Sequence, residues 1–142
     1  CMNEADNLAR CVAETLLQRE GTGPAWGVAI DDAREGYALI RMTLRDDMLN
    51  GHRIGHGGMI FALADTAFAY ACNSRNENTV AQNASIAFLA PARPGDILIA
   101  EAREISRAGR SGVYHVSVRT SDGRTIAEFT GLSRGVGGKV II

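Results

Sequence analysis

Gly57-Gly58-Met59-Ile60-Phe61-Ala62-Leu63-Ala64-Asp65-Thr66-Ala67-Phe68-Ala69-Tyr70-Ala71-Cys72-Asn73 is the stretch on which the fold turns. It is rich in alanine and apolar around its whole circumference. The spacing therefore predicts a helix buried on most sides. Met59–Cys72 carries a single charge, Asp65, and is too short to span a bilayer. A helix with no wet face needs cover on two flanks. A sheet can supply one and a second copy of the chain the other, so at least a homodimer is expected.

The sheet is legible on both sides of this helix. Upstream, Asn3–Gln18 has apolar residues at helical spacing (Leu8, Val12, Leu16), and Gly21-Thr22-Gly23-Pro24 reads as its stop. Trp26–Asp31 and Tyr37–Leu44 read as strands, joined by a hairpin over Asp32–Gly36. The second alternates Ala38, Ile40, Met42 and Leu44 against Tyr37, Leu39, Arg41 and Thr43. Arg45–Arg53 is polar and irregular, with room for one helical turn. Downstream, four strands are expected at Val80–Ala90, Asp96–Ile105, Gly112–Thr120 and Thr125–Arg134. Asp122-Gly123 signals a tight hairpin between the last two. Each strand sets a wet face against a dry one, as antiparallel sheets commonly do. The expected class is α+β, one antiparallel sheet wrapped around the central helix. No repeat, linker or low-complexity tract divides residues 1–142, so one domain is expected.

Composition narrows the function. With 46% hydrophobic and 22% charged residues the chain reads as globular. Its net charge of −1 leaves no basic excess for nucleic acid or an anionic membrane. Cys1, Cys11 and Cys72 are too few and scattered for a disulfide framework. They suit a reducing compartment, and no secretory signal is expected, so cytoplasmic residence is the expectation.

The chemistry concentrates in Asn50-Gly51-His52-Arg53-Ile54-Gly55-His56-Gly57-Gly58 and in Asp65. The first turn of a helix has N–H groups without internal partners and a partial positive charge. Gly57 and Gly58 carry no side chains there, so a ligand carbonyl can approach the backbone as in an oxyanion hole. The plainer alternative is a tight turn. Asp65 in an apolar helix must either find donors, such as Thr66, or shift its pKa upward. The functional alternative is a nucleophile or general base in a cleft. Asp65 lies eight residues past Gly57, roughly 12 Å along the axis, whereas a base acts at about 3 Å. Two such helices packed antiparallel across a dimer would bring each Asp65 to the other chain's Gly57. Asn50 and His56 flank the site and could hold a carbonyl or a water. His52 and His56 are four apart, but Arg53-Ile54-Gly55 between them is poor content for a metal-binding helix, so no metal is expected.

Asn50 with His56-Gly57-Gly58 and Leu63-Ala64-Asp65 resembles the hotdog-fold acyl-CoA thioesterases of the PaaI, phenylacetate-degradation type. The likeness extends through Ser85–Pro91, Gly95-Asp96 and Gly112-Val113-Tyr114 to the glycine-rich end at Gly135–Gly138. It implies a hotdog fold, dimers that pair into tetramers, and hydrolysis of an acyl-CoA thioester with no metal or bound cofactor. Carried over, Asp65 is the catalytic carboxylate and Gly57 the backbone donor to the thioester carbonyl. Asn50 and His56 hold the carbonyl and the attacking water, with Gly58 and Thr66 beside the substrate. On the strand expected to face the carboxylate, Gln82, Asn83 and Ser85 are open candidates. Arg107-Ala108-Gly109-Arg110 is either a clamp for the CoA phosphates, Arg107, Gly109 and Arg110 contributing, or an ordinary solvated hairpin. Phe61, Phe68, Leu89 and Tyr114 are candidates for the acyl pocket or plain core. The expected substrate is an aryl- or arylacetyl-CoA such as phenylacetyl-CoA. The rivals are a hotdog hydratase or dehydratase on enoyl- or hydroxyacyl-CoA, and a non-catalytic acyl-CoA binder.

Overall fold

The computed structural model describes residues 3–142. Helix α1 spans Glu4–Arg19, opened by the Asn3 side chain accepting from the Asp6 N–H at 2.8 Å. Glu4 and Asp6 in its first turn and Arg19 in its last suit the helix dipole. A short helix α2, Thr22–Trp26, follows where the sequence was expected only to stop a helix. Gly27, at φ 69°, ends α2 in the left-handed region. Strand β1 therefore begins at Ala29 rather than Trp26 and runs to Arg34. Strand β2 is Tyr37–Thr43, and Asp46–Met48 supplies the expected helical turn, of 3-10 type.

The central helix α3 is Gly57–Cys72. It is followed by β3 (Thr79–Phe88), β4 (Ile97–Ala108), β5 (Ser111–Thr120) and β6 (Thr125–Gly135). The six strands form one antiparallel sheet in the order β1-β2-β4-β5-β6-β3. α3 lies across its dry face, and α1 packs against β1 and α3. Part of the cover that α3 needs away from the sheet thus comes from α1.

Ile60, Leu63, Ala64, Ala67, Phe68 and Ala71 bury one side of α3. Phe68 packs 5.4 Å from the Tyr114 ring and 5.7 Å from that of Phe129, and Phe61 meets Phe129 edge-on. Phe68 and Tyr114, both candidates for the acyl pocket, are thus part of this aromatic core. Gly131 on β6 makes the close approach possible, because a Cβ there would stand 2.7 Å from the Phe68 ring.

The strip Gly58, Ala62, Asp65, Thr66 and Ala69 stays partly open. β3 is an edge strand, paired with β6 on one side alone. Cys1 lies outside the described residues, Cys11 is exposed and Cys72 is buried.

Candidate active site

The loop before α3 is tied down at every turn. The Gly55 N–H donates to the Ala92 carbonyl at 2.7 Å and the His56 N–H to that of Met48 at 2.9 Å. The Asn50 side-chain oxygen accepts from the His52 N–H at 2.9 Å and the Ile54 N–H at 3.3 Å. Two backbone donors fix that oxygen's orientation, which leaves the Nδ2 amide of Asn50 as the group it offers outward. Asn50 thus shapes the loop before it does anything else. His56 caps α3, its Nδ1 accepting from the Gly58 N–H at 2.9 Å. That ring is the tautomer carrying its proton on Nε2.

These bonds divide the two glycines. The Gly58 N–H, expected beside the substrate, is spent on His56. Among the described residues, the Gly57 N–H has no partner. Gly57 and Asn50 line one cleft of about 460 Å³ with Phe88, Leu89 and Pro91. The Phe88 ring covers Gly57 so closely that a Cβ there would stand 3.2 Å from it. Phe88 escaped the sequence reading because its place depends on the far end of β3.

Asp65 is half-buried on the open strip of α3. Among the described residues it has no ion pair, and burial alone raises its pKa. Cys72, two turns further on, feels it: burial and the Asp65 charge push the thiol up to about 12. Thr66 gives its hydroxyl proton to the Ala62 carbonyl at 2.7 Å, so it can only accept from a ligand.

Of the open candidates Gln82, Asn83 and Ser85, the structure turns two, Asn83 among them, away from α3. A bulge between Ala81 and Asn83 shifts the register of β3 against β6. Asn83 then pairs with Leu132, while its neighbour Ala84 pairs with Gly131 under Phe68. Asn83 therefore points to the sheet face opposite α3, and Ser85 with it. Ala81, paired with the buried Ser133, sits on the α3 side.

Arg107, Gly109 and Arg110 do come together. They line a cleft of about 200 Å³ with Cys72, Tyr114 and Ser133. The β4–β5 turn is tight, Gly109 at φ 59°. Arg107 is shared between Glu77 at 3.5 Å and Glu104 at 3.8 Å, whereas Arg110 has no carboxylate partner among the described residues. His52 is exposed, and among the described residues no three His, Cys, Asp or Glu side chains group as metal ligands. Among those residues, no helix is long and apolar enough to cross a membrane.

An antiparallel sheet laid around one long helix defines a hotdog-fold protein, and here that helix carries, among the described residues, an unpaired glycine N–H at its start and a carboxylate without an ion pair two turns on. The chain belongs to the thioesterase superfamily, whose family profile matches residues 52–127. It is a thioester hydrolase. It is 40% identical over 128 residues to the acyl-coenzyme A thioesterase PaaI of Escherichia coli K12, an alignment that covers 90% of this chain and 91% of that protein. The structure of E. coli PaaI, from the phenylacetic acid degradation operon, aligns with a TM-score of 0.94 at 38% identity, covering 96% of this chain and 99% of that one. A mutant of the phenylacetic acid degradation protein PaaI from Thermus thermophilus aligns at 0.79 and 32% identity, over 82% of this chain and 100% of that one.

Proposed function

We propose that this hydrolase cleaves aryl- or arylacetyl-CoA thioesters, such as phenylacetyl-CoA, to the free acid and CoA. The similarity to two PaaI proteins supports the substrate class. The observation that carries the chemistry is the presence on one helix of an Asp65 carboxylate and a Gly57 N–H that both lack a partner among the described residues. They are roughly 12 Å apart along it, too far to serve one carbonyl within a chain. In a homodimer with antiparallel α3 helices, Asp65 of one protomer meets the partner's Gly57. The unpaired edge of β3 and the open strip of α3 leave room for that contact.

The thioester oxygen takes the Gly57 N–H, with the Asn50 Nδ2 and His56 Nε2–H close by. Water attacks the carbonyl carbon and passes its proton to Asp65, or Asp65 attacks and water then hydrolyses the anhydride. Either way the negative charge on oxygen collapses, the C–S bond breaks, and the CoA thiolate leaves and is protonated. Arg110, with Arg107, holds the CoA phosphates through its forked donors. No metal or bound cofactor takes part. The enzyme works in the cytoplasm, and its dimers pair into tetramers.

The test is hydrolysis of phenylacetyl-CoA by Asp65→Ala and Asp65→Asn, followed by thiol release. A general base is worth about 10²–10⁴-fold, and losses of that order are expected in both. Near-normal turnover in both overturns the assignment.

A further inference from the structure

One helical turn beyond Asp65, the same face of α3 opens into a second groove. Ala69 is four residues on from Asp65, and residues at that spacing share a helix face about 6 Å apart. The groove measures about 500 Å³ and lies between the end of α1, the second half of α3, the first residues of β3 and the C-terminal tail. That volume is ordinary for a small-molecule pocket.

Most of the polar groups along it make a bond within the chain. Asn73 bonds Thr79 in both directions, its Nδ2 to the Thr79 carbonyl at 3.0 Å and its Oδ1 from the Thr79 N–H at 2.9 Å. The Tyr70 hydroxyl donates to Glu20. Arg19 donates to the Val140 carbonyl at 2.9 Å, and Asn78 to that of Gly137 at 3.2 Å. Much of what remains for a ligand is apolar: Leu16, Ala69, Val136 and Val140. Val136 is 56% exposed, although it is large and apolar. This is the reverse of the Arg107–Arg110 cleft, which presents charge.

We propose that this groove seats the distal, apolar part of the substrate's acyl group, and that Ala69 sets how bulky that part can be. The inference rests on Asp65 acting at the thioester, as proposed above. With the reacting carbon held at Asp65, the acyl group needs one helical turn of travel to enter the groove. Ala69 is the side chain it must cross, and a methyl group is small enough to let it pass. A larger side chain closes the entrance from the α3 wall. A tryptophan at Val136 fills the groove from the opposite wall, at an exposed position where folding is undisturbed.

The experiment separates binding from turnover. The full-length chain carrying Asp65→Asn is titrated calorimetrically with CoA, phenylacetyl-CoA and octanoyl-CoA. The same titrations follow with Ala69→Leu or Val136→Trp added. The acyl esters are expected to bind more tightly than CoA. That advantage should fall about 10-fold or more in each double variant, as pocket contacts of methylene size are worth 10–200-fold, with the affinity for CoA itself preserved. No acyl advantage at the outset, or an advantage that survives both substitutions, overturns the proposal. So does a Val136→Trp protein that loses its dimer while keeping the advantage, because the groove is then a subunit contact. Hydrolysis by the unsubstituted chain is read separately. Its absence alongside an acyl advantage lost in both double variants strikes at the proposed function and leaves the groove standing.

Discussion

An ionised carboxylate at position 65 gives up part of its hydration to the flank of α3, and among the described residues no donor replaces that loss. Its pKa in the folded chain is raised, so between the unfolded value of about 3.9 and the raised value the native state binds more protons than the unfolded one. Stability therefore falls as pH climbs through that window, and the full cost is present above it. Asparagine keeps the shape without the charge. Asp65→Asn is expected to melt at the same temperature as the parent below about pH 3.9, and above it at neutral pH. Thermal denaturation across a pH series checks this. A variant that melts lower at neutral pH would mean that the assembled protein supplies donors to Asp65. The same shift governs catalysis with the opposite sense, because the base must be ionised to act. Asp65 was legible in the sequence because one charge in an apolar helix has few structural excuses. The different fates of Gly57 and Gly58 were not, since they depend on which way the His56 ring turns.

At the scale of elements, alternation placed β2, β4 and β5 and the helical period placed α1 and α3, because those patterns follow from which face is buried. Neither pattern reveals a bulge. β3 shifts register between Ala81 and Asn83, and β4 does so between Glu104 and Ser106. A bulge inserts a residue without altering composition, so it turns every later side chain over while the string of letters looks the same. That is why the letters alone leave Gln82, Asn83 and Ser85 open, while the register turns Asn83 and Ser85 away from α3. The helix-to-sheet distance follows from pairs of residues far apart in the chain, and it is testable at one of them. Gly131→Ala puts a methyl within 2.7 Å of the Phe68 ring, and Phe68 is wedged between Tyr114 and Phe129. Overpacking of this kind costs about 1–3 kcal/mol. Chemical denaturation should show a lower midpoint with an unchanged slope. An unaltered midpoint would mean that α3 rides further from the sheet.

For the molecule as a whole, the partial exposure of the α3 strip and the free edge of β3 belong together. The open strip of α3 carries Ala62 and Ala69, and the β3 edge carries Phe88, large, apolar and 52% exposed. Unpaired strand edges are normally covered or blunted. A two-fold axis running past β3 would cover both surfaces at once and set the two α3 helices antiparallel. If the site is shared in that way, Asp65 and Gly57 act from different chains, and two inactive proteins can repair each other. Asp65→Ala lacks the carboxylate. Gly57→Val fills the approach to the free N–H, where even one added carbon stands 3.2 Å from Phe88. Each alone should be nearly inactive. Unfolded together and refolded as an equal mixture, half of the dimers are hybrids. Each hybrid has one site built from the intact Gly57 of one chain and the intact Asp65 of the other. The mixture should recover roughly a quarter of the parent's specific activity on phenylacetyl-CoA, half the dimers with half their sites. A site confined to one chain would give no recovery, because no protomer in the mixture carries both residues.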